Sequence, residues 1–100
     1  MSVLELIITD RTREDFEDII TYTAKQWGHD QADEYASRIN AALMNLWHFP
    51  KLGRIRFDIA SDVRSIPVGQ HVIYYHPTED AIIIRRIVHG RRDVHVDLDE

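Results

Sequence analysis

One hundred residues and 11.8 kDa make a single domain over residues 1–100, and 44% hydrophobic beside 29% charged residues exclude a disordered or low-complexity chain. Cysteine is absent, which excludes a disulfide framework, thiol catalysis and thiolate metal sites and is compatible with a reducing compartment. The formal net charge of −5 argues against indiscriminate nucleic-acid binding. With no basic-then-apolar leader and no run near the roughly 18 apolar residues of a membrane span, a cytoplasmic protein without membrane association is the expectation.

Val3 to Thr9 is aliphatic and β-branched, with Leu4, Leu6 and Ile8 on one side at the two-residue period of a strand. Thr9 or Thr12 supplies a capping hydroxyl for a helix over about residues 10–27, with Glu14 and Asp15 near its positive end. Phe16, Ile19, Ile20, Thr23 and Trp27 form its apolar arc. Gly28 ends it, Asp30 caps a second helix, and Pro50 stops that one. The second stripe is Ala32, Tyr35, Ala36, Ile39, Ala42, Leu43 and Leu46, and so short a link makes the helices antiparallel neighbours. After Pro50-Lys51-Leu52-Gly53 the stretch Arg54 to Ile59 reads as irregular. Three strands follow: Val63–Val68, His71–His76 after Gly69-Gln70, and Ala81–His89 after the turn Pro77-Thr78-Glu79-Asp80. Ile82-Ile83-Ile84, apolar on both faces, suits a central strand. The order β-α-α-β-β-β predicts an α+β domain in which an antiparallel sheet packs against an N-terminal helical hairpin.

The charges are unevenly spread. Residues 1–50 hold nine acids and four bases, residues 51–92 hold four acids and eight bases, and the last eight residues add four acids. A basic central block between acidic ends offers a basic face for an acidic partner. Six histidines raise the question of a metal, but His71 and His76 fall on opposite faces of one strand and His29 and His48 near opposite ends of one helix. Neither an His-x-His pair nor an HExxH helix is present, so no metal is expected; without a glycine-rich phosphate loop no cofactor is expected either.

The densest cluster of functional side chains is Arg85-Arg86-Ile87-Val88-His89-Gly90-Arg91-Arg92-Asp93-Val94-His95. Strand alternation sets Arg85, Ile87 and His89 on one face and Ile84, Arg86 and Val88 on the other, so at most one arginine of the pair faces the helices. There it would pair with Asp15, Glu17 or Asp18; elsewhere the arginines present planar donor forks to an acidic segment or a phosphate. His89, His95 and these arginines nominally meet the needs of a metal-free ribonuclease, a base, an acid and cations. Asp93, Asp97, Asp99 and Glu100 around His95 disfavour the approach of RNA. Tyr22, outside the first apolar arc, and Trp47, at the edge of the second, are aromatic candidates for anchoring a partner.

The succession Asp15-Phe16-Glu17-Asp18-Ile19, Tyr22, Trp27-Gly28, Tyr35, Arg64, Pro67-Val68-Gly69, His71-Val72-Ile73-Tyr74-Tyr75 and Ile84 to Asp93 resembles the ParE toxins of the RelE/ParE superfamily over about residues 3–95. The resemblance implies the toxin of a bacterial toxin–antitoxin module, acting without catalysis of its own on DNA gyrase. It implies neutralisation by a ParD-like antitoxin, a ribbon-helix-helix DNA-binding protein, in a hetero-oligomer that reaches operator DNA only through the antitoxin. The RelE branch of the same fold instead cleaves messenger RNA on the ribosome, with basic side chains on the sheet and commonly a tyrosine or histidine near the C-terminus, the neighbourhood of His89 and His95. The expectation is a gyrase inhibitor with no catalytic residues, whose partner-facing or supporting region holds Arg64, Arg85, Arg86, His89, Arg91 and Arg92, with Tyr22 and Trp47 as further contacts. A RelE-type ribosome-dependent endoribonuclease is the alternative.

Overall fold

The protein is described by a computed structural model covering residues 4–98, with the side chains of Val94 and His95 outside the described set. The elements are β1 (Glu5–Ile8), α1 (Asp10–Trp27), α2 (His29–His48), β2 (Arg54–Ile55), β3 (Arg64–Val68), β4 (His71–Pro77) and β5 (Ala81–His89), followed by a 3₁₀ segment over Gly90–His95. The strands form one sheet in the order β1-β5-β4-β3-β2.

The expected antiparallel meander is present in β3, β4 and β5, while β1 runs parallel to β5 with Glu5 opposite Ala81 and Ile8 opposite Ile84. The sheet is therefore mixed rather than purely antiparallel. The first predicted strand is shorter than Val3–Thr9: Val3 lies outside the described residues, and Thr9 has left the strand to cap α1. Its hydroxyl accepts from the Thr12 N–H at 3.2 Å. The Thr9 and Thr12 hydroxyls also both donate to the Ile84 carbonyl, at 2.9 and 2.8 Å, pinning the start of α1 to β5.

Two further expectations are corrected. Arg54–Ile59 is not wholly irregular, because Arg54 and Ile55 pair with Ser65 and Arg64 on the edge of β3; two residues carry no periodicity, and what makes them a strand is an open neighbouring edge. Asp30 does not cap α2, which begins at His29 with Gly28 in the cap position and no side-chain cap bond. Gly28 adopts φ +92°, a backbone state that a residue with a Cβ rarely takes, and its N–H closes α1 on the Ala24 carbonyl at 2.9 Å.

The helical hairpin covers one face of the sheet. Ile39, Leu43 and Leu46 of α2 meet Val68, Ile73, Tyr75, Ile82, Ile84 and Ile87, with Leu4, Leu6, Ile8, Phe16 and Ile19 around them. Each fully buried Ile or Leu here contributes about 1.5–3 kcal/mol of transfer free energy. On the opposite face Val63, Tyr74 and Val88 are covered by Ile59 and Ala60 of the loop before β3 and by Val96 and Leu98. Trp27 departs from its predicted place in the core: the helical phase turns it inward, but it ends α1, and 73% of it is exposed.

A β-bulge breaks the predicted alternation in β5. Tyr74 pairs with Arg86 and Tyr75 with Ile84, which leaves Arg85 as the extra residue. Ile84 and Ile87 consequently both enter the helix-side core, which strict alternation forbids, while Val88 joins the other cluster. Arg86, only 3% exposed, donates from Nε and Nη2 to the Asp15 carboxylate at 2.7 and 3.1 Å, and the Ile87 N–H donates to the same carboxylate at 3.0 Å.

Candidate binding cleft

At the end of the molecule where α1 turns into α2, the β3–β4 turn and the end of β5 come together around an open cleft of about 740 Å³. Its hub is the half-buried Tyr35 of α2. The phenol oxygen accepts from the Gln70 N–H at 3.2 Å, lies 3.1 Å from the Val68 carbonyl, and is hydrogen-bonded to Nδ1 of His71. Gly69 makes this approach possible: it sits at φ +57°, and a Cβ there would come within 2.5 Å of the Tyr35 ring. Burial raises the Tyr35 pKa above that of an ordinary phenol, so the oxygen keeps its proton at neutral pH.

His71 is stacked edge-on against His89, ring centroids 5.4 Å apart. Burial, and then the charge of His89, lower the His71 pKa below the ordinary value of 6.5. The sign of the linkage follows. The folded chain binds fewer protons at His71 than the unfolded one, so this contribution is complete above pH 6.5 and is lost as the pH falls below it. We expect the thermal midpoint to drop on acidification from pH 7 to about pH 5.5, and to drop less in His71→Gln, which retains an amide for Tyr35 and does not titrate. Equal slopes in melting curves followed by circular dichroism would rule out His71 as the source.

His89 also caps the 3₁₀ segment, its Nδ1 accepting from the Arg91 N–H at 3.1 Å. The Gly90 N–H donates to the Gln70 carbonyl at 2.8 Å, closing the end of β5 onto the β3–β4 turn. These bonds set Arg91 and Arg92 on the rim of the cleft, facing Tyr22 and Trp27 of α1 and Gln31 and Arg38 of α2. The Arg38 guanidinium lies over the Tyr35 ring at 5.7 Å.

The structure thus brings four of the eight sequence-predicted residues together, namely Tyr22, His89, Arg91 and Arg92. It places the other four elsewhere. Arg64 donates to the Lys51 and Gly53 carbonyls and holds the turn after α2. Arg85 donates to the Leu98 carbonyl, and Arg86 is committed to Asp15. Trp47, half-buried, donates its indole N–H to the Leu4 carbonyl at 2.6 Å and fastens the end of α2 to the entry of β1. The His95 side chain, an acid–base candidate, lies outside the described residues. Trp27, Gln31, Tyr35, Arg38 and His71 were not singled out as partner-facing; the one available signal was a tryptophan directly before a helix-ending glycine.

A second, smaller cleft of about 490 Å³ lies between the turn after α2, β3 and the 3₁₀ segment. Its buried cation, Arg56, is spent within the protein: it binds both Asp58 oxygens at 3.0 and 2.7 Å, Asp93 at 2.7 Å and Ser65 at 3.1 Å. These carboxylates hold the guanidinium pKa above its already high ordinary value, and Arg56 in turn lowers that of Asp58. Among the described residues no three His, Asp or Glu side chains converge as metal ligands, and no helix is long and apolar enough to cross a membrane.

Comparison with known proteins places this geometry in context. The model of the family described as "ParE toxin of type II toxin-antitoxin system, parDE" matches residues 6–94. Toxin ParE1 of Mycobacterium tuberculosis is 33% identical over 79 residues, 78% of this chain and 81% of that protein. Toxin ParE1 of Caulobacter vibrioides is 30% identical over 78 residues with the same coverage. A solved structure described as "Chromosomal ParDE TA system from P. aeruginosa" superposes with a TM-score of 0.76 at 18% identity, covering 87% of this chain and 96% of that one, which shows a common fold.

Proposed function

The chain belongs to the ParE family of toxins of type II toxin–antitoxin systems, and from that premise we propose that it inhibits DNA gyrase by binding and is neutralised by a ParD-like antitoxin. The observation that carries the binding mode is the make-up of the cleft face. Exposed Trp27, Tyr22, Arg91 and Arg92 are of the residue types that dominate protein–protein hot spots, and they stand on a framework locked by Tyr35 and His89. The capping bond made by His89 supports a structural role for its ring rather than an acid–base one.

The antitoxin segment is assigned to the helical hairpin and the opposite rim of the sheet. Phe49, Leu52, Ile55 and Phe57 are 40–75% exposed there, beside the open edge of the two-residue β2. An extended segment could add a strand to this edge and seat apolar side chains on these residues.

In a supercoiling assay the purified chain is expected to inhibit gyrase and to trap cleaved DNA. Adding the cognate antitoxin should reverse the inhibition, and Arg91→Glu with Arg92→Glu should weaken it by about tenfold or more. Intact gyrase activity in the presence of folded protein would overturn the target. Translation-dependent cleavage of messenger RNA in a parallel reaction would establish the RelE-type alternative instead, for which the His71–His89 pair beside the arginines is the relevant feature.

A further inference from the structure

We propose that the cleft at the α1–α2 turn binds a nucleoside monophosphate group, with the phosphate on the rim arginines and the base on the exposed rings. This goes beyond the target assignment and stands whether or not gyrase is the target.

Three observations on the cleft converge. First, it is a cationic spot in an acidic protein. Although the chain has 17 Asp and Glu residues, none is among the described residues lining this cleft, while Arg38, Arg91 and Arg92 are. The guanidiniums of these three have no carboxylate partner among the described residues, in contrast to Arg11, Arg56 and Arg86. Unpaired planar donor forks at one site match the oxygens of a phosphate.

Second, the described lining contains no aliphatic side chain; it consists of aromatic rings, histidines, glutamines, arginines, a threonine and a glycine. The apolar surface it offers is that of aromatic rings and side-chain stems rather than of aliphatic side chains. A planar π-system would find the faces of Trp27 and Tyr22, 73% and 63% exposed, and stacking of a base on such a ring is worth about 1–3 kcal/mol. Gln31 and Gln70 bring the amide donor–acceptor pairs that read the edge of a base.

Third, the surroundings limit how much nucleic acid the cleft can take. Asp30, Asp33 and Glu34 are exposed on α2 on either side of Gln31, and they repel a polyanion that runs past the cleft. A single phosphate held on the arginines exposes less charge to these residues than a strand that runs past them. Two sources carry that chemistry, a free nucleotide and the phosphorylated end of a DNA strand.

The test is calorimetric titration of the full chain with AMP, adenosine and inorganic phosphate, followed in parallel by tryptophan fluorescence. AMP should bind about tenfold or more tightly than adenosine and quench fluorescence in a Trp27-dependent manner. The Arg91→Gln, Arg92→Gln double variant, its fold checked by circular dichroism, should lose at least about tenfold in affinity. Arg13→Gln, on an exposed part of α1 away from the cleft, should stay within about twofold. Displacement of AMP by a short single strand with a terminal phosphate, but not by its dephosphorylated form, identifies a strand end as the source. Failure of both strands to displace AMP identifies a free nucleotide. AMP binding no tighter than adenosine, AMP affinity unchanged in the double variant, or polyglutamate bound in the cleft where AMP is not, would overturn the proposal. Gyrase inhibition is read in a separate reaction, so loss of the one does not imply loss of the other.

Discussion

Replacing Asp15 with alanine is expected to cost about 3–5 kcal/mol of folding stability, the range for breaking a buried ion pair from one side. The carboxylate is 9% exposed and holds three donors at once, Arg86 Nε, Arg86 Nη2 and the Ile87 N–H. Without it a guanidinium in a residue only 3% exposed loses its counter-charge, and a backbone N–H beside the β5 bulge loses its acceptor. The remaining bond from Arg86, to the Asp97 carbonyl at 3.2 Å, carries no charge to offset this. For a domain whose total stability is of order 5–15 kcal/mol, so large a loss moves the urea midpoint far toward zero. Asp15→Asn, which keeps one acceptor for these donors, should fall between the wild type and Asp15→Ala. Glu14→Ala removes the exposed partner of Arg11 and should change stability by less than about 1 kcal/mol. An Asp15→Ala midpoint close to that of Glu14→Ala would show that the pair is not what ties α1 to β5.

Arg56→Ala should cost about 2–3 kcal/mol, the upper range for a single hydrogen bond to a charged group, and it should disturb the cleft from a distance. Arg56 itself is buried, but Asp58 is largely exposed and regains water when the arginine is removed, which places the loss below that at Asp15. Asp93 is the consequential partner. It belongs to the same 3₁₀ segment as Arg91 and Arg92, and its bond to Arg56 at 2.7 Å fastens that segment across the sheet. The Tyr74 hydroxyl donates to the Asp93 carbonyl at 3.3 Å as a second tie, and the Arg56 guanidinium rests over the Tyr74 ring. We expect Arg56→Ala to show both a lower thermal midpoint and faster amide exchange through residues 90–93. Arg56→Lys should recover the charge but little of the stability, because an ammonium cannot bridge Asp58, Asp93 and Ser65 as the fork does. Unchanged exchange in a destabilised variant would confine the role of Arg56 to the loop before β3.

Elements with a long, regular pattern were legible from residues alone. The stripes of α1 and α2, the glycine between them and the β3–β4–β5 meander follow from periods of 3.6 and 2 and from turn chemistry, and they appear close to their predicted bounds. What escaped is non-local. The strand pairing of Arg54 and Ile55 depends on the free edge of β3, and the parallel docking of β1 depends on where the helical hairpin returns the chain. The bulge at Arg85 reverses the facing of every residue after it in β5, so periodicity carried through it assigns Ile87 to the wrong side.

The candidate site divides along the same line. That arginines and histidines cluster after Ile84 was plain in the sequence, as was the basic block between acidic ends. Which of them stand free was not. Arg85 and Arg86 are neighbours of one residue type, yet Arg86 is sealed beneath α1 by Asp15, 71 positions earlier in the chain, and Arg85 turns to the Leu98 carbonyl. Arg91 and Arg92 owe their place to a histidine cap and to the Gln70 carbonyl, and Trp27 joins them because α1 ends at it.

Length, composition and hydrophobic period thus determined the α+β fold class, the lack of cysteine chemistry and the order of the elements, since these depend on what each residue does with its near neighbours. Tertiary structure alone decided which charges are spent on stability and which face solvent. A guanidinium's partner is set by the three-dimensional approach of distant segments, and burial, not sequence position, makes that partner worth several kcal/mol or almost nothing.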